Sequence, residues 1–151
     1  AAMVSCLAYA DTVLAERFVS GVEVAVTVVE DEGAPRALLV VEVEAKGGVY
    51  DYTARYTPGA AHFHCPARID VATAAALADA ALAAHQLLGL RDVSRTDAVV
   101  DSAGRVQILE VNVSPGLTDT SLLPTAAASA GLDLSHLYDR LVDRAIARCF
   151  T

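Results

Sequence analysis

Cysteine is scarce in this chain of 151 residues. The three cysteines, Cys6, Cys65 and Cys149, are far apart and form no Cys-x-x-Cys pair. This pattern predicts neither a disulfide framework nor a zinc site, and it favours a reduced, cytoplasmic protein. We therefore expect each cysteine to be a small buried side chain.

Long hydrophobic runs are also missing. No run reaches the ~20 apolar residues of a membrane-spanning helix, because Asp79, His85 and Gln86 interrupt the longest candidate, Val71–Leu90. The start of the chain lacks the basic flank of a signal peptide, so we expect no membrane association. A net charge of -8 argues against nucleic acid as a partner. With 54% hydrophobic residues, the composition is that of one folded domain.

The first half of the chain predicts three strands and a loop. Val13–Val19 is an apolar run that ends at a glycine, Val22–Val28 alternates valine with other residues, and Ala37–Val43 follows a turn. Alternation with β-branched residues is typical of strands. Lys46–Pro66 shows no periodicity, and a loop of this length inside a domain is usually functional.

The second half predicts helices around a hairpin. Val71–Leu88 and Ser121–Ala130 have helical patterns, and a last helix has Leu134, Leu137, Leu141 and Ile146 on one face. Between them, strands Ser94–Val100 and Val106–Val113 are joined by a turn at 101–104. The predicted fold class is α+β, with a mainly antiparallel sheet flanked by helices.

The hairpin carries polar side chains that suit a divalent cation. Glu110 and Asn112 stand at i and i+2, and therefore on one face of their strand. If the turn holds an even number of residues, Asp97 and Arg95 share that face. Carboxylate and amide oxygens are ligands that Mg²⁺ prefers, with phosphates completing the shell, and arginine suits an oxyanion. The alternative is a solvated sheet face with ordinary charges.

Four segments, in order along the chain, resemble those of D-alanine–D-alanine ligases of the ATP-grasp superfamily. The most specific is Glu110–Thr118, which reads Glu-Val-Asn-Val-Ser-Pro-Gly-Leu-Thr and is followed by Ser121-Leu122. Glu16–Glu23 resembles the family's adenine and ribose segment, Tyr50–Tyr56 its active-site loop, and Arg95-Thr-Asp97 its Arg-x-Asp strand. The resemblance covers essentially the whole chain and implies an ATP-grasp C-terminal domain.

For the nucleotide, the resemblance implies three sets of contacts. The backbone around Glu16, Arg17 and Val19 binds adenine, although a plain edge strand is the alternative for Arg17. Glu23 accepts hydrogen bonds from the ribose, and Arg55 meets a phosphate where the family commonly has lysine. Two Mg²⁺ ions, with Mn²⁺ as an alternative, bridge the ATP phosphates on ligands implied to be Asp97, Glu110 and Asn112.

For the substrates, the resemblance implies a ligation in two stages. ATP phosphorylates the carboxylate of one D-alanine, and the amine of a second D-alanine displaces the phosphate to give D-alanyl-D-alanine for peptidoglycan precursors. Arg95 and the Gly116 amide hold the oxyanion of the tetrahedral intermediate, and Ser121 and Leu122 hold the carboxylate of the second D-alanine. Tyr56 helps to close the site, whereas we interpret Tyr50 and Tyr52 as structural props.

The resemblance also predicts what lies outside the chain. Lys46 is the single lysine, whereas the family's phosphate-binding lysines and the residues for the first D-alanine belong to earlier domains. We expect residues 1–151 to be one C-terminal domain, with the end of the central domain near residues 1–20. The full-length protein is expected to be a cytoplasmic homodimer, and this chain alone to be inactive. The alternatives are a D-alanine–D-lactate or D-serine ligase, another ATP-grasp ligase, and a non-catalytic nucleotide-binding module.

Overall fold

A computed structural model describes residues 2–30, 33–57, 59–118 and 120–149, without the side chain of residue 56. The helices in these ranges are α1 (Ala2–Cys6), α2 (Tyr52–Tyr56), α3 (Val71–Leu87), α4 (Leu122–Ser129) and α5 (Leu134–Cys149). The strands are β1 (Gly21–Val29), β2 (Arg36–Ala37), β3 (Val41–Ala45), β4 (Ala61–His64), β5 (Val93–Asp101) and β6 (Val106–Asn112).

The strands form one antiparallel sheet in the order β4-β3-β1-β5-β6, with β2 paired to the far end of β1. The central strand β1 is buried on both faces from Val24 to Val29, because apolar or small side chains stand at positions of both parities there. Val24 and Val26 face α3, where they pack with Leu77. Ala25 and Leu123 belong to the core under α4 and α5. Helices thus cover both faces, and the predicted α+β class is confirmed.

Helices α3 and α4 and the β5–β6 hairpin confirm the predicted elements to within one or two residues. Helix α3 begins where the side chain of Asp70 accepts from the backbone of Thr73 at 2.9 Å, a typical N-cap. Helix α5 has Leu137 buried, but Ile146 at the other end of its predicted face is 50% exposed. The reason is that the last turns of α5 are held by ion pairs instead, from Arg144 and Arg148 to Asp92.

Two strand predictions need correction. Val13–Val19 is not a strand, and its Leu14 and Phe18 are exposed. The run leads into β1, whose two edges are already paired with β3 and β5. The predicted strand Ala37–Val43 is divided into β2 and β3. Its register against β1 shifts by one residue between the pair Val28–Ala37 and the pair Ala25–Val41. This offset interrupts the ladder.

The predicted loop Lys46–Pro66 contains α2 and β4, so its description as loop throughout was wrong. Helix α2 begins where the Asp51 carboxylate accepts from the Ala54 amide at 2.8 Å. Strand β4 is held by pairing with β3, with Phe63 opposite Val43. Elements of four and five residues are too short to display a period, which explains why the sequence pattern missed them.

The expectation that each cysteine is buried was also wrong. Cys6 and Cys149 are exposed and Cys65 is half-buried, and all three are free thiols. Across the described parts of the chain, no helix combines the length and the apolar character needed to cross a bilayer.

Candidate functional site

Four of the predicted site residues lie on one face of the β5–β6 hairpin. Arg95 pairs with Asn112 and Asp97 pairs with Glu110. Residues directly opposite in antiparallel strands point to the same side of the sheet. The predicted common face is therefore confirmed, whereas the binding of a metal by these residues stays a prediction.

These four side chains share a face for a different reason from the expected one, which was a turn with an even number of residues. Val100 pairs with Val106, which leaves an odd number of residues, 101–105, in the turn. An odd turn alone would put Glu110 on the opposite face from Asp97. A β-bulge between Asp97 and Ala98 corrects the register, because the pairing passes from Ala98–Ile108 to Asp97–Glu110 and omits Leu109.

An open cleft of about 330 Å³ lies over this face and is named here the acidic cleft. Its carboxylates come from Glu16, Glu23, Asp97 and Glu110. Burial raises the pKa of Glu23, the charge of Asp97 raises it further, and a hydrogen bond from the Tyr50 backbone opposes both. The cleft therefore concentrates negative charge that a cation would neutralise.

Arg95 and Asp97 form a close ion pair at the centre of the site. Arg95, a residue only 5% exposed, donates from Nε to Oδ1 at 2.6 Å and from Nη2 to Oδ2 at 2.7 Å. Burial alone would lower the pKa of Arg95, but the hydrogen bonds and charge of Asp97, with the charge of Glu110, raise it overall. Arg95 is thus a fixed cation, and the pairing leaves Nη1 for a further anionic acceptor.

A second cleft, of about 470 Å³, lies on the other side of Arg95 and is named here the turn cleft. It is lined by Asn112, Gly116 and Ser121, among others. The Asn112 amide oxygen accepts from the Ser114 backbone at 2.9 Å, which turns the chain out of β6. The turn that follows leads to Ser121, the N-cap of α4. The cleft thus has an arginine on one side and the positive end of a helix on the other.

The two clefts share Tyr50, Arg55 and Leu122. The Tyr50 ring meets Phe63 edge-on, with 6.2 Å between centroids, and the Arg55 guanidinium lies 5.4 Å from the Tyr50 centroid. Tyr50 thus supports Arg55, as a structural prop would, and also lines both clefts. No sequence pattern indicated this second role, because it depends on strand β4, which was not predicted.

The structure brings most of the predicted site residues together, but not all. Glu16 lines the acidic cleft, whereas Arg17 and Val19 line neither cleft. The predicted role of the Tyr56 side chain lies outside the described residues. Sequence reasoning assigned no site role to several lining residues, among them Leu109, Ser114, Thr118 and Thr120. Leu109 is the bulged residue, and the other three surround the turn after β6.

The chemistry of the donor set limits what the acidic cleft can hold. Among the residues that the structure describes, no three His, Cys, Asp or Glu side chains are grouped closely enough to hold a metal ion. Asp97 and Glu110 supply two carboxylates. Mg²⁺ typically binds one or two carboxylates together with substrate phosphates rather than an all-protein cage. The donor set therefore fits a metal that is shared with a phosphorylated ligand.

Comparison with known proteins adds independent information. Residues 1–143 match the family model described as D-ala D-ala ligase C-terminus. The D-alanine–D-alanine ligase of Anaeromyxobacter dehalogenans is 44% identical over 137 residues, which are 91% of this chain and 43% of the relative. The chain thus spans less than half the length of this curated relative.

Solved structures give the same fold. The VanG D-Ala:D-Ser ligase from Enterococcus faecalis is 31% identical with a TM-score of 0.70, over 85% of this chain and 37% of that one. The D-alanine–D-alanine ligase from Bacillus anthracis, solved in complex with ATP, is 22% identical with a TM-score of 0.67, over 85% of this chain and 39% of that one.

Proposed function

Because the chain belongs to the D-alanine–D-alanine ligase family, we propose that it forms part of an enzyme that joins two D-alanines in an ATP-dependent reaction. The product is D-alanyl-D-alanine for peptidoglycan precursors, and the reaction passes through an acyl phosphate. The observation that carries this proposal is the pair of clefts on either side of the Arg95–Asp97 ion pair. One cleft is acidic and the other can receive an anion.

The acidic cleft is the proposed nucleotide side. Glu16, Arg17 and Val19 contribute backbone contacts to adenine, and the placement of Glu16 in the lining supports this for that residue. Glu23 accepts from the ribose hydroxyls. Arg55, exposed and lying over Tyr50, meets a phosphate. An arginine holds two phosphate oxygens at once, which the lysine common in the family cannot do.

Asp97, Glu110 and Asn112 are the proposed ligands of two Mg²⁺ ions, with Mn²⁺ as an alternative. When bound, the metal ions neutralise the charge that develops on the phosphates. The repulsion between Glu23 and Asp97 favours a cation at this place. The bond between Asn112 and the Ser114 amide uses one lone pair of the amide oxygen and leaves the other for a cation.

The turn cleft is the proposed acceptor side. Arg95 and the Gly116 amide hold the oxyanion as the amine attacks, since fixed donors in a partly buried site stabilise developing charge strongly. Ser121 and Leu122 hold the carboxylate of the second D-alanine. The N-terminus of α4 adds its partial positive charge, and its first turn has no acidic residue. Tyr56 is proposed to help close the site.

The remaining parts of the proposal concern the whole enzyme. This chain is its C-terminal domain, with residues near 1–20 ending the central domain, and the earlier domains hold the first D-alanine and the phosphate-binding lysines. The enzyme is a cytoplasmic homodimer, and the 151-residue chain alone makes no dipeptide. A D-serine acceptor is the second candidate, which the 31% identity to a D-Ala:D-Ser ligase favours.

The experiment compares Glu110→Ala with wild type in the intact enzyme that carries this chain, by phosphate release that depends on D-alanine. We expect the substitution to abolish turnover, because a lost metal ligand removes charge stabilisation worth several kcal/mol, about 100-fold or more in rate. The melting temperature should stay unchanged, since Glu110 is exposed. Asp79→Asn, an exposed carboxylate on α3, is the matched control.

Near-normal turnover of Glu110→Ala would contradict the metal assignment. Dipeptide formation by the 151-residue chain alone would contradict the proposed division of the site among domains. ATP binding without any D-alanine-dependent phosphate release in the intact enzyme would instead favour the non-catalytic nucleotide-binding module. D-Serine used in preference to D-alanine as acceptor would establish the second candidate.

A further inference from the structure

We propose that Thr118 is a positioning residue for the acceptor carboxylate, and that it acts by holding the hydroxyl of Ser121. This inference rests on the proposed function, in which Ser121 binds that carboxylate. The Thr118 and Ser121 hydroxyl oxygens are 2.8 Å apart, a hydrogen-bond distance. Thr118 ends the Glu110–Thr118 motif, where its side chain was assigned no role, and it lines the turn cleft beside Ser121.

The first observation is that Ser121 does not cap its own helix. Serine at an N-cap usually accepts from the second or third backbone N–H of the helix. Ser121 is the N-cap of α4 but makes no such side-chain bond. The third residue of the helix is Pro124, which has no N–H, so Leu123 offers the remaining capping donor. The bond to Thr118 keeps the serine hydroxyl away from that donor and leaves the helix end open to a ligand.

The second observation is a close approach on another side of the same hydroxyl. A Cβ added to Gly116 would lie 2.6 Å from Ser121 Oγ and 3.3 Å from Ser121 Cβ. A side chain at this position would therefore push the Ser121 side chain out of its place. The turn is fixed from outside, because the Tyr138 hydroxyl on α5 donates to the Leu117 carbonyl at 3.2 Å. The turn thus leaves room for the Ser121 hydroxyl in the orientation that its bond to Thr118 holds.

The direction of the hydrogen bonds follows from the ligand. A carboxylate only accepts hydrogen bonds, so Ser121 must donate its single proton to it. Thr118 must then donate to Ser121, and its own lone pairs are left to accept from Thr120, whose hydroxyl is 3.4 Å away. A bound carboxylate therefore orients the hydroxyls of Thr120, Thr118 and Ser121 in one direction, and each bond strengthens the next.

The experiment uses Thr118→Val, which keeps the shape and removes the hydroxyl, and Thr118→Ser, which restores it. In the intact enzyme, the valine variant should raise KM for the second D-alanine by about 3- to 10-fold, the worth of one net hydrogen bond. Its kcat and its KM for ATP should not change. Thr118→Ser should be close to wild type. Thr120→Val, an exposed neighbour with a longer contact, is the matched control and should have a smaller effect.

A second measurement does not depend on activity. In the 151-residue chain, the Leu123 amide resonance should move in Thr118→Val, because Ser121 turns to cap α4, and should stay in place in Thr118→Ser. Gly116→Ala displaces the same hydroxyl from the other side and should also raise the acceptor KM.

Two results would overturn the inference: an acceptor KM that Thr118→Val leaves unchanged in an active enzyme, or an unmoved Leu123 amide. If the wild-type enzyme forms no dipeptide, the proposed function has failed, and the amide resonance still decides whether Thr118 positions Ser121.

Discussion

Replacing Gly21 with alanine tests how closely the start of β1 approaches β5. Gly21 begins β1 opposite Asp101. An added Cβ would lie 2.1 Å from the Val100 carbonyl oxygen, 2.8 Å from its carbonyl carbon and 2.7 Å from a methyl of Val99. Two of these three atoms are backbone, so no rotation of a side chain relieves the contact. The start of β1 must move away from β5.

The size of the effect follows from two opposing contributions. Inserting a methyl group into packed structure costs about 1–3 kcal/mol. Alanine also restricts the unfolded chain more than glycine does, which returns about 0.4–1 kcal/mol. We therefore expect a net loss in the free energy of unfolding of about 1–2 kcal/mol, or roughly 2–8 °C in melting temperature for a domain of this size.

Urea denaturation and thermal melting of the 151-residue chain measure this loss. Gly47→Ala is the matched control, because a Cβ at Gly47 meets nothing within 4 Å and its backbone φ is ordinary. The control should equal or slightly exceed wild type in stability. If Gly21→Ala is as stable as Gly47→Ala, then β1 and β5 do not approach as closely as described and the reasoning fails.

Three further predictions concern stability and pH. Leu123→Ala should reduce the free energy of unfolding by about 2–5 kcal/mol in urea denaturation, because a fully buried leucine leaves a cavity; a loss below 1 kcal/mol would contradict its place in the core. Arg68 lowers the pKa of Glu42 by hydrogen bonding, so Arg68→Gln should have a lower free energy of unfolding than wild type at pH 7. This difference in free energy should become smaller below about pH 4, where Glu42 is protonated, and a difference that is constant with pH would refute the prediction. Burial, with the charge of Asp97, raises the pKa of Glu23, so ionised Glu23 opposes folding. Glu23→Gln should therefore be at least as stable as wild type at pH 7, and the two should not differ in stability below about pH 4. The same variant should bind ATP more weakly, and unchanged ATP affinity would count against Glu23 as a nucleotide ligand.

The elements that the sequence predicted are those whose pattern is long enough to show a period. Helix α3 and strand β1 are of this kind, because α3 buries Leu77, Ala81 and His85 at intervals of four and β1 has valine at every second position from Val22 to Val28. Strand β4 and helix α2 depend on contacts made elsewhere, namely the ladder to β3 and the cap by Asp51. The run Val13–Val19 shows the reverse error: its apolar pattern forms no strand, and both edges of β1, the strand it leads into, are paired with β3 and β5.

The same distinction holds for the candidate site. Glu110 and Asn112 could be found because their spacing within one strand already puts them on one face. The contribution of Tyr50 depends on Phe63 in β4, and that of Thr118 on the turn that brings it to Ser121. Neither contact has a periodic signature in the sequence, so three-dimensional packing was needed to identify them.

The bulge at Leu109 has a consequence for how related sequences should be aligned. Val106, Ile108, Glu110 and Asn112 all occupy even positions, yet the bulge directs the first two towards α3 and the last two towards the clefts. Loss of Leu109 alone would join Ile108 directly to Glu110 and leave Asp97 opposite Glu110. A one-residue gap at this position is therefore neutral for the direction of the site residues. A gap within the turn at 101–105 would also keep these directions as long as Val106 still pairs with Val100, because only the length of the turn changes.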